Sequence, residues 1–468
     1  MKKIVLIVST FVTTAVMAQD FPGIRTGSHA GVLGVFSNPA NIADSRYKWH
    51  ANLLSVNTGV GNTSGSFDLG DLGNTFSDGE LMRRFVGQSG EGTSAMLNAG
   101  IYGPSVMFNV GPKSTIALST RGRILMNAID FDGRLANQLL YPEDRDFELP
   151  YEIRSGNSMR VNVNAWTEFG ASFGHVLYNE GAHFLKGGVT LKYLAGVTNG
   201  YLGLNNLDAR LDANGVSSNG ELSNASGTLL MGFGGANLDQ FSASDLTSFK
   251  SSGFGGDIGF VYEYRPESAL ETDALSSWRA QREKYKFRFG VSLMDLGKIN
   301  YDRDNRRSGN YAIDIQGAEF VDLQELGNQG LDELNTYFAS QPDLFTPIAQ
   351  DGSTYKVGLP TTLQLDADYH IHEGFFVNLG GQVSLSNNDT KIYNSQYYSG
   401  VSLTPRFEGK RLGIYLPLSY NALTDFNAGF SIRYGPVFIG SGSLLTALIG
   451  NTKQVDAHFG ISFGGLLD

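Results

Sequence analysis

The sequence predicts an all-β protein: a closed antiparallel transmembrane β-barrel of about 14–16 strands, with its N-terminal segment tucked at or into the lumen. Three observations predict it. Residues 161–173 alternate apolar and polar side chains over more than the roughly 5–6 residues of an average strand. The alternation recurs along most of the chain, behind a secretory leader. After the leader, no stretch reaches the roughly 18 apolar residues of a transmembrane helix, whereas a spanning barrel requires such two-faced strands.

The first 18 residues have the pattern of a cleaved signal peptide. Lys2 and Lys3 precede an apolar run at 4–8, and the segment ends on the small residue Ala18. The alternative is a retained anchor helix, but the run is short and is followed by polar residues, whereas a span needs about 20 apolar residues. We therefore predict removal of residues 1–18, with 19–468 forming one barrel domain in the cell outer membrane.

The composition favours the same class. Glycine accounts for 59 of the 468 residues, well above the average of about 7%. Charged residues account for 17%, below the average of about 25%. Glycine relieves crowding in curved strands, and the 12% of aromatic residues suits the girdles of a membrane barrel. There is no cysteine, which excludes disulfides and thiolate chemistry. The net charge of −11 makes a nucleic-acid partner a poor match.

Candidate spanning strands alternate with short polar turns on one side and longer connections on the other, as expected for periplasmic turns and extracellular loops. The predicted strands are 48–60, 101–110, 114–126, 161–177, 184–197, 201–211, 221–233, 255–265, 285–293, 354–371, 374–385, 401–407, 412–420, 427–434, 436–443 and 455–463. The pair 201–211 and 221–233 is rich in Asn, Asp and Gly. As a loop hairpin it would leave 14 strands instead of 16, and both counts stay open.

Four connections hold inserts with a possible role. Apolar residues at helical spacing occur at 81–86, 331–338 and 444–449. Each insert fits either a lid over the barrel mouth or a packed loop helix without a gating role. The long polar insert at 265–284, on the predicted periplasmic side, is the candidate contact for another envelope protein.

Three segments carry a family resemblance. Residues 34–43 contain Asn38-Pro39-Ala40, residues 290–301 read GVSLMDLGKINY, and the chain ends with RYGPVFIGS at 433–441 and DAHFG at 456–460. Together they resemble an uncharacterised Bacteroidota outer-membrane β-barrel family, distantly similar to long-chain fatty-acid transporter-like barrels. The resemblance covers both ends and one middle strand. It implies an outer-membrane barrel that either passes hydrophobic compounds or partners a secretion or motility machine.

The Asn-Pro-Ala segment suggests a hatch formed by residues 19–47. Pro39 fixes φ and has no N–H to donate, so it suits a chain lying against the inner wall better than a strand ladder. Asn38, which precedes the proline, is restricted to extended backbone, and Ala40 completes the motif. The alternative is a periplasmic turn that only starts the barrel.

Charged residues at inward positions are the candidate lumen lining. They are Arg121, Arg123, Glu168, Lys192, Asp366, Asp368, His370, Asp456 and His458. Such a set could line an aqueous path or form a salt-bridged network that stiffens the wall. Asp and His on one wall could also do acid–base chemistry or bind a metal, but polar groups are the default lining of a barrel. We therefore predict no catalytic, cofactor or metal site.

The expected function is passive transport of small hydrophobic compounds through an outer-membrane barrel that contacts lipid on its outer face. The alternative is a structural or adaptor barrel that partners a secretion, motility or envelope complex. A lumen filled by side chains would favour the alternative, and a continuous path would favour transport. An outer-membrane enzyme is the third possibility, and nothing in the sequence singles out a nucleophile for it.

Overall fold

The protein is described here from a computed structural model. The structure describes residues 21–66, 92–140, 149–154, 156, 158–213, 220–236, 250–266, 285–350, 352–386, 391–450 and 452–466. Two predicted segments lie outside the described residues: the signal peptide at 1–18 and the insert at 81–86. Of the insert at 265–284, the structure describes only residues 265 and 266.

One antiparallel sheet of 22 strand segments forms the molecule. The segments are β1 (Tyr47–Asn62), β2 (Gly92–Tyr102), β3 (Ser105–Asn109), β4 (Ser114–Asp132), β5 (Tyr151–Arg154), β6 (Ser158–Glu180), β7 (His183–Ala213), β8 (Gly220–Gly235), β9 (Ser251–Tyr264), β10 (Phe287–Asp302), β11 (Gly309–Asp322), β12 (Phe345–Ile348), β13 (Thr354–Gly358), β14 (Thr362–His372), β15 (Phe375–Ser384), β16 (Gly400–Glu408), β17 (Leu412–Tyr415), β18 (Leu418–Asn421), β19 (Asp425–Ala428), β20 (Phe430–Tyr434), β21 (Val437–Ser441) and β22 (Gln454–Leu466).

These segments close into a barrel of 14 spanning strands. Four spanning strands are interrupted once, so that β2–β3, β13–β14, β17–β18 and β19–β20 each act as one. The first and last strands pair along their length, from Trp49 opposite Gly465 to Gly61 opposite Gln454. The 14-strand alternative is therefore confirmed, and the 16-strand alternative is wrong.

The predicted strands at 201–211 and 221–233 do not span the membrane. Strand β7 runs unbroken for 31 residues: residues 183–196 pair with β9 in the wall, and residues 198–213 pair with β8 beyond it. Strands β11 and β12 extend this sheet outwards from β8, and β5 pairs with β7. We call β5, the second half of β7, β8, β11 and β12 the sheet extension. Strands β11 and β12 lie between the predicted strands 285–293 and 354–371, where the sequence predicted only loop or helix.

The sheet extension has its own apolar core, which explains why these strands form outside the barrel. Its fully buried residues include Leu211, Met231 and Ile315. Leu334 and Phe338 pack on them from the helix Leu331–Ala339, whose apolar spacing predicted it correctly. The other described helices are Gly133–Leu140, Leu323–Asn328 and Leu444–Ile449, with two 3₁₀ helices at Gly31–Phe36 and Pro39–Ile42. None of the described helices is long and apolar enough to cross a membrane.

The alternation that predicted the barrel is confirmed on β6. Phe169 and Phe173 are 39% and 46% exposed on the outer face. Trp166 and Glu168, at alternate positions, are 1% and 3% exposed on the inner face. Successive side chains of a strand point to opposite faces of the sheet, so lipid-facing and interior positions alternate along β6.

A lysine at the outward position Phe169 is expected to destabilise the barrel in lipid by roughly 2–4 kcal/mol at mid-bilayer depth, because its ammonium group would face hydrocarbon. Reversible urea unfolding in lipid vesicles measures the change. Gln316→Lys is the control, since Gln316 is exposed on β11 in the sheet extension. Equal unfolding free energies for the two variants would contradict the membrane assignment of this face.

Candidate functional site

The candidate site is a layer of charged side chains inside the barrel. Six ionisable side chains from β4, β6, β7, β9 and β10 meet there, each at most 7% exposed: Arg121, Arg123, Glu168, Lys192, Asp257 and Asp295. We call this set the ionic layer. It brings together four of the predicted lumen residues, and it adds Asp295, which sequence reasoning missed.

Glu168 joins the two arginines of β4. It accepts from Arg121 at 2.7 Å and from Arg123 at 2.8 Å. The indole N–H of Trp166 also donates to Glu168, at 2.7 Å, and the guanidinium of Arg123 lies 4.6 Å from the Trp166 ring centroid. The carboxylate is thus held by three charged or polar donors in an interior where an unpaired charge would be strongly unfavourable.

Asp295 joins the arginines to the lysine. Its oxygens lie 2.8 Å from Arg123, 3.4 Å from Arg121 and 2.6 Å from Lys192. Lys192 in turn lies 2.7 Å from Asp257. The three cations and three carboxylates of the layer therefore balance, and each carboxylate contacts at least one cation. Such a network rigidifies the interior and leaves no carboxylate free to act as a general base.

A bulge explains why Asp295 was missed. The register of β10 against β9 shifts between Leu293 and Leu296, so that both Met294 and Asp295 face inwards. Strict alternation would have placed Asp295 on the lipid side with Leu293. Asp295 has a φ of +58°, and its N–H donates to the Asp257 carboxylate at 2.7 Å. The surrounding hydrogen bonds hold this uncommon backbone conformation in place.

The predicted residues on β14 belong to a second cluster. Asp368 is fully buried and accepts from Arg406 at 2.7 Å, while Arg406 also donates to Glu408 at 3.1 Å. Asp366 lies 3.7 Å from Arg288. We call this group the β14 cluster.

His370, at the end of β14, lies outside the β14 cluster and is bound locally. Its Nε2 lies 2.7 Å from the Glu373 carbonyl oxygen in the turn, and its ring stacks on Phe376 at 4.5 Å. These contacts fit a strand-end residue.

Asp456 and His458 lie on the inner face of the last strand, 5% and 3% exposed. Asp456 accepts from the hydroxyl of Ser441 at 3.1 Å and also from Ser443. The His458 ring packs against Phe21 with centroids 5.9 Å apart. These contacts connect β22 to β21 and to the N-terminal residues, and they bring no metal-ligand geometry. The described residues contain no group of His, Asp and Glu able to hold a metal ion.

The Asn-Pro-Ala motif contacts the inner side of the wall. Asn38 donates to the carbonyl oxygens of Phe260 and Val291 at 3.1 and 3.2 Å, and its own Oδ1 caps Ala40 N–H at 2.9 Å. Pro39 occupies the first position of the 3₁₀ helix, where no N–H is required.

We call residues 21–43 the N-terminal segment. Its contacts reach many strands: Val32 N–H donates to His50 on β1 at 3.1 Å, and Lys186 on β7 donates to the Ala43 carbonyl at 3.1 Å. Ser28 donates to Glu408 on β16 at 2.8 Å. These partners lie around the circumference of the barrel.

A second segment, residues 391–398, contacts the inner face on the other side of the ionic layer. Asn162 on β6 donates to the carbonyls of Ile392 and Asn394 at 3.1 Å each. The Tyr397 hydroxyl accepts from Arg123 at 2.7 Å. This loop between β15 and β16 is therefore tied to the opposite wall and to the ionic layer, and we call it the crossing loop.

Two small cavities lie in the described interior. One is bordered by the N-terminal segment and β14–β16; the other is bordered by the ionic layer and the crossing loop. Arg25, Gln364 and Gln382 border both. Their lining is mostly polar, and it offers no long apolar groove.

Solved structures with similar architecture include outer-membrane transporters, and the outer-membrane protease OmpT from Escherichia coli is also among them. These structures include a Pseudomonas aeruginosa FadL homologue (10% identity, 96% of this chain and 97% of that chain, TM-score 0.43) and the Ralstonia pickettii toluene transporter TbuX (8%, 93% and 94%, 0.40). A third is the P. putida toluene transporter TodX (9%, 94% and 95%, 0.38). At these identities the likeness concerns the outer-membrane β-barrel fold alone.

No curated protein matches the sequence significantly. A family model does match it, over residues 39–442, from the Asn-Pro-Ala motif to the turn after β21. This match includes the whole ionic layer and the β14 cluster. The chain therefore belongs to the family of unknown function DUF5723.

Proposed function

We propose that this protein is a closed outer-membrane barrel that serves as a structural or adaptor component of the envelope. The proposal is supported by three parts of the chain that contact the inner faces of the strands at successive levels. The N-terminal segment, the ionic layer and the crossing loop follow one another along the barrel, tied by hydrogen bonds such as that from Arg123 to Tyr397. In this proposal the N-terminal segment is a permanent closure, the predicted hatch.

The charged interior also argues against a route for apolar solutes. Binding sites for hydrophobic compounds are lined mainly by apolar and aromatic side chains. Here Arg121, Arg123 and Asp295 border one cavity and Asp366 the other. An apolar solute on this path would separate paired charges and offer no replacement hydrogen bonds.

The sheet extension is the proposed contact surface for an envelope partner. Strand β12 forms one of the two free edges of the sheet extension within the described residues, the other being β5, and it exposes Ile348. Because the extension carries its own buried core, including Leu334 and Phe338, it presents a fixed surface beyond the wall. A rigid surface loses little conformational entropy when a partner binds.

Passive transport of small hydrophobic compounds is the second candidate, favoured by one observation. The N-terminal segment pairs with no described strand, and its backbone-to-backbone hydrogen bonds, such as Asn41 N–H to the Asn38 carbonyl, are internal. It is held by side-chain contacts and packing, so its displacement would leave every strand ladder intact.

Flux measurements separate the two candidates. The mature protein in planar bilayers is expected to show no steady conductance, and in liposomes no accelerated uptake of toluene or a long-chain fatty acid. A deletion of residues 19–43 together with residues 391–398 is the matched opened variant and is expected to conduct, because it removes both the N-terminal segment and the crossing loop. If that variant does not fold, Gly188→Ala replaces the deletion of residues 19–43, since an added Cβ there would overlap the backbone of Pro39.

Uptake by the unaltered protein at the rate of the opened variant would overturn the adaptor proposal and support transport. Affinity purification from native outer membranes gives the complementary result. The adaptor proposal expects a stoichiometric envelope protein that is lost when the outward edge of β12 is altered by Ile348→Lys.

A further inference from the structure

Arg25 is a buried cation with no charged or hydrogen-bonding partner among the side chains of the described residues. Arg25 is 8% exposed, and its side chain makes no hydrogen bond or ion pair to any described residue. By contrast, Lys192 lies 2.7 Å from a carboxylate and Arg406 donates to two of them. Removing a guanidinium from water without a counter-charge is strongly unfavourable. The position therefore calls for an anion.

The space in front of Arg25 can accept one. Arg25 borders both interior cavities. In the larger cavity the space for the centres of water-sized molecules is about 30 Å³, and one water needs roughly 10–15 Å³ by this measure, so the cavity has room for two or three water molecules or a small anion in their place. It is enclosed by the N-terminal segment and by the inner faces of β14, β15 and β16.

The larger cavity also presents unused hydrogen-bond donors. The hydroxyls of Ser402 and Thr404 border it, are 8% and 3% exposed, and make no side-chain hydrogen bond to any described residue. The Asn378 amide borders it too, and its bond to Ala367 is long at 3.4 Å. Neutral donors beside a guanidinium are the chemistry that holds an oxyanion.

The charges of the lining leave Arg25 uncompensated. Asp366 is the carboxylate that borders the larger cavity, and it lies 3.7 Å from Arg288. Asp295, which borders the smaller cavity, is bound to Arg123 and Lys192. Both carboxylates thus have cations of their own, and no ion pair joins either to Arg25.

We propose that the Arg25 cavity binds a small carboxylate anion, with the Arg25 guanidinium as its principal partner and Ser402 and Thr404 as neutral donors. The planar fork of a guanidinium matches the two oxygens of a carboxylate. The polar lining and limited volume restrict the bound acid to a short chain. This site does not depend on the proposed function: a closed barrel and a conducting barrel can each contain it.

Thermal unfolding of the mature, detergent-solubilised protein tests the site, with acetate as the probe and chloride at equal ionic strength and pH as reference. We expect the unfolding midpoint to rise and saturate with acetate, because the ligand binds only the folded state. Arg25→Gln should abolish that rise. Arg306→Gln should retain it, since the Arg306 side chain is 91% exposed.

A second readout separates a binding site from a merely structural arginine. In chloride without acetate, Arg25→Gln should be at least as stable as the unaltered protein, because it removes an unpaired buried charge. A marked loss of stability under those conditions would show that Arg25 has a structural partner and would overturn the proposal. An equal rise with chloride or with phosphate would overturn the carboxylate assignment.

Crystals soaked in 3-bromopropionate locate the anion directly. The proposal expects an anomalous bromine peak beside Arg25 in the unaltered protein and none in Arg25→Gln. A peak confined to the protein surface, or none at all, would overturn it. Neither result bears on conductance, so failure of this site and failure of the adaptor proposal are distinguishable.

Discussion

Replacing Asp295 with asparagine is expected to destabilise the barrel by roughly 3–5 kcal/mol, the range for breaking a buried ion pair. Asp295 contacts Arg121, Arg123 and Lys192. Asparagine keeps the shape and removes the charge, so the layer would hold three cations against two carboxylates. The surplus charge cannot reach water, since the three cationic side chains are at most 4% exposed.

Urea unfolding in lipid vesicles measures this loss. Asp343→Asn is the matched control, because Asp343 is exposed and surface substitutions usually change stability by less than about 0.5 kcal/mol. Indistinguishable results for the two variants would contradict the assignment of the ionic layer as the stabilising centre of the interior.

Removing a matched pair from the layer sharpens the test. Lys192→Met alone leaves two cations and three carboxylates, whereas Lys192→Met with Asp257→Asn restores the balance. Asparagine at 257 can still accept from the Asp295 N–H. The double variant is therefore expected to lose less stability than the sum of the losses caused by Lys192→Met and Asp257→Asn measured singly, a non-additivity that arises only if the two residues interact.

Gly188→Ala is expected to destabilise the protein by about 1–3 kcal/mol and to displace the N-terminal segment. An alanine Cβ at this position on β7 would overlap the backbone of Pro39 and Ala40. Overpacking of this kind forces a backbone shift, and the segment is the side able to move because it belongs to no strand ladder. Faster trypsin cleavage at Arg25 or Arg46, together with higher bilayer conductance, would report the displacement.

Two further alanine variants make this experiment specific. Gly259→Ala on β9 would collide with the Asn38 side chain and should act in the same direction. Gly122→Ala on β4 is the control, because no atom lies within 4 Å of an added Cβ there. If Gly122→Ala and Gly188→Ala had equal effects on cleavage and conductance, the contact between Pro39 and β7 would have no role in holding the segment.

The sequence predicted the parts of the molecule that follow regular alternation. Glu168 was assigned to the inner face because its position in the alternation was unambiguous, and Glu168 is 3% exposed in the structure. The segments at 201–211 and 221–233 were left open between spanning strands and a loop hairpin because β8 also alternates, and alternation alone does not distinguish a strand facing lipid from one facing an apolar core such as that around Ile315.

The parts that were missed depend on local irregularity or on the N-terminal segment. Asp295 faces inwards through a bulge, which no periodic reading reveals. Arg25 lies in a stretch with neither helical nor strand periodicity, so only the three-dimensional structure brings it to the cavity beside Ser402 and Thr404. Parity correctly placed Asp456 and His458 on the inner face.

The position of the N-terminal segment also constrains the order of assembly. Phe21 precedes every strand, yet it packs on Phe438 and His458 of the last two strands, with ring centroids 5.4 and 5.9 Å away. The seam between β1 and β22 joins residues about 400 positions apart, and such long-range contacts form late. The N-terminal segment can therefore complete its packing only when the last two strands are in place, and it gives the final hairpin a surface on which to pack.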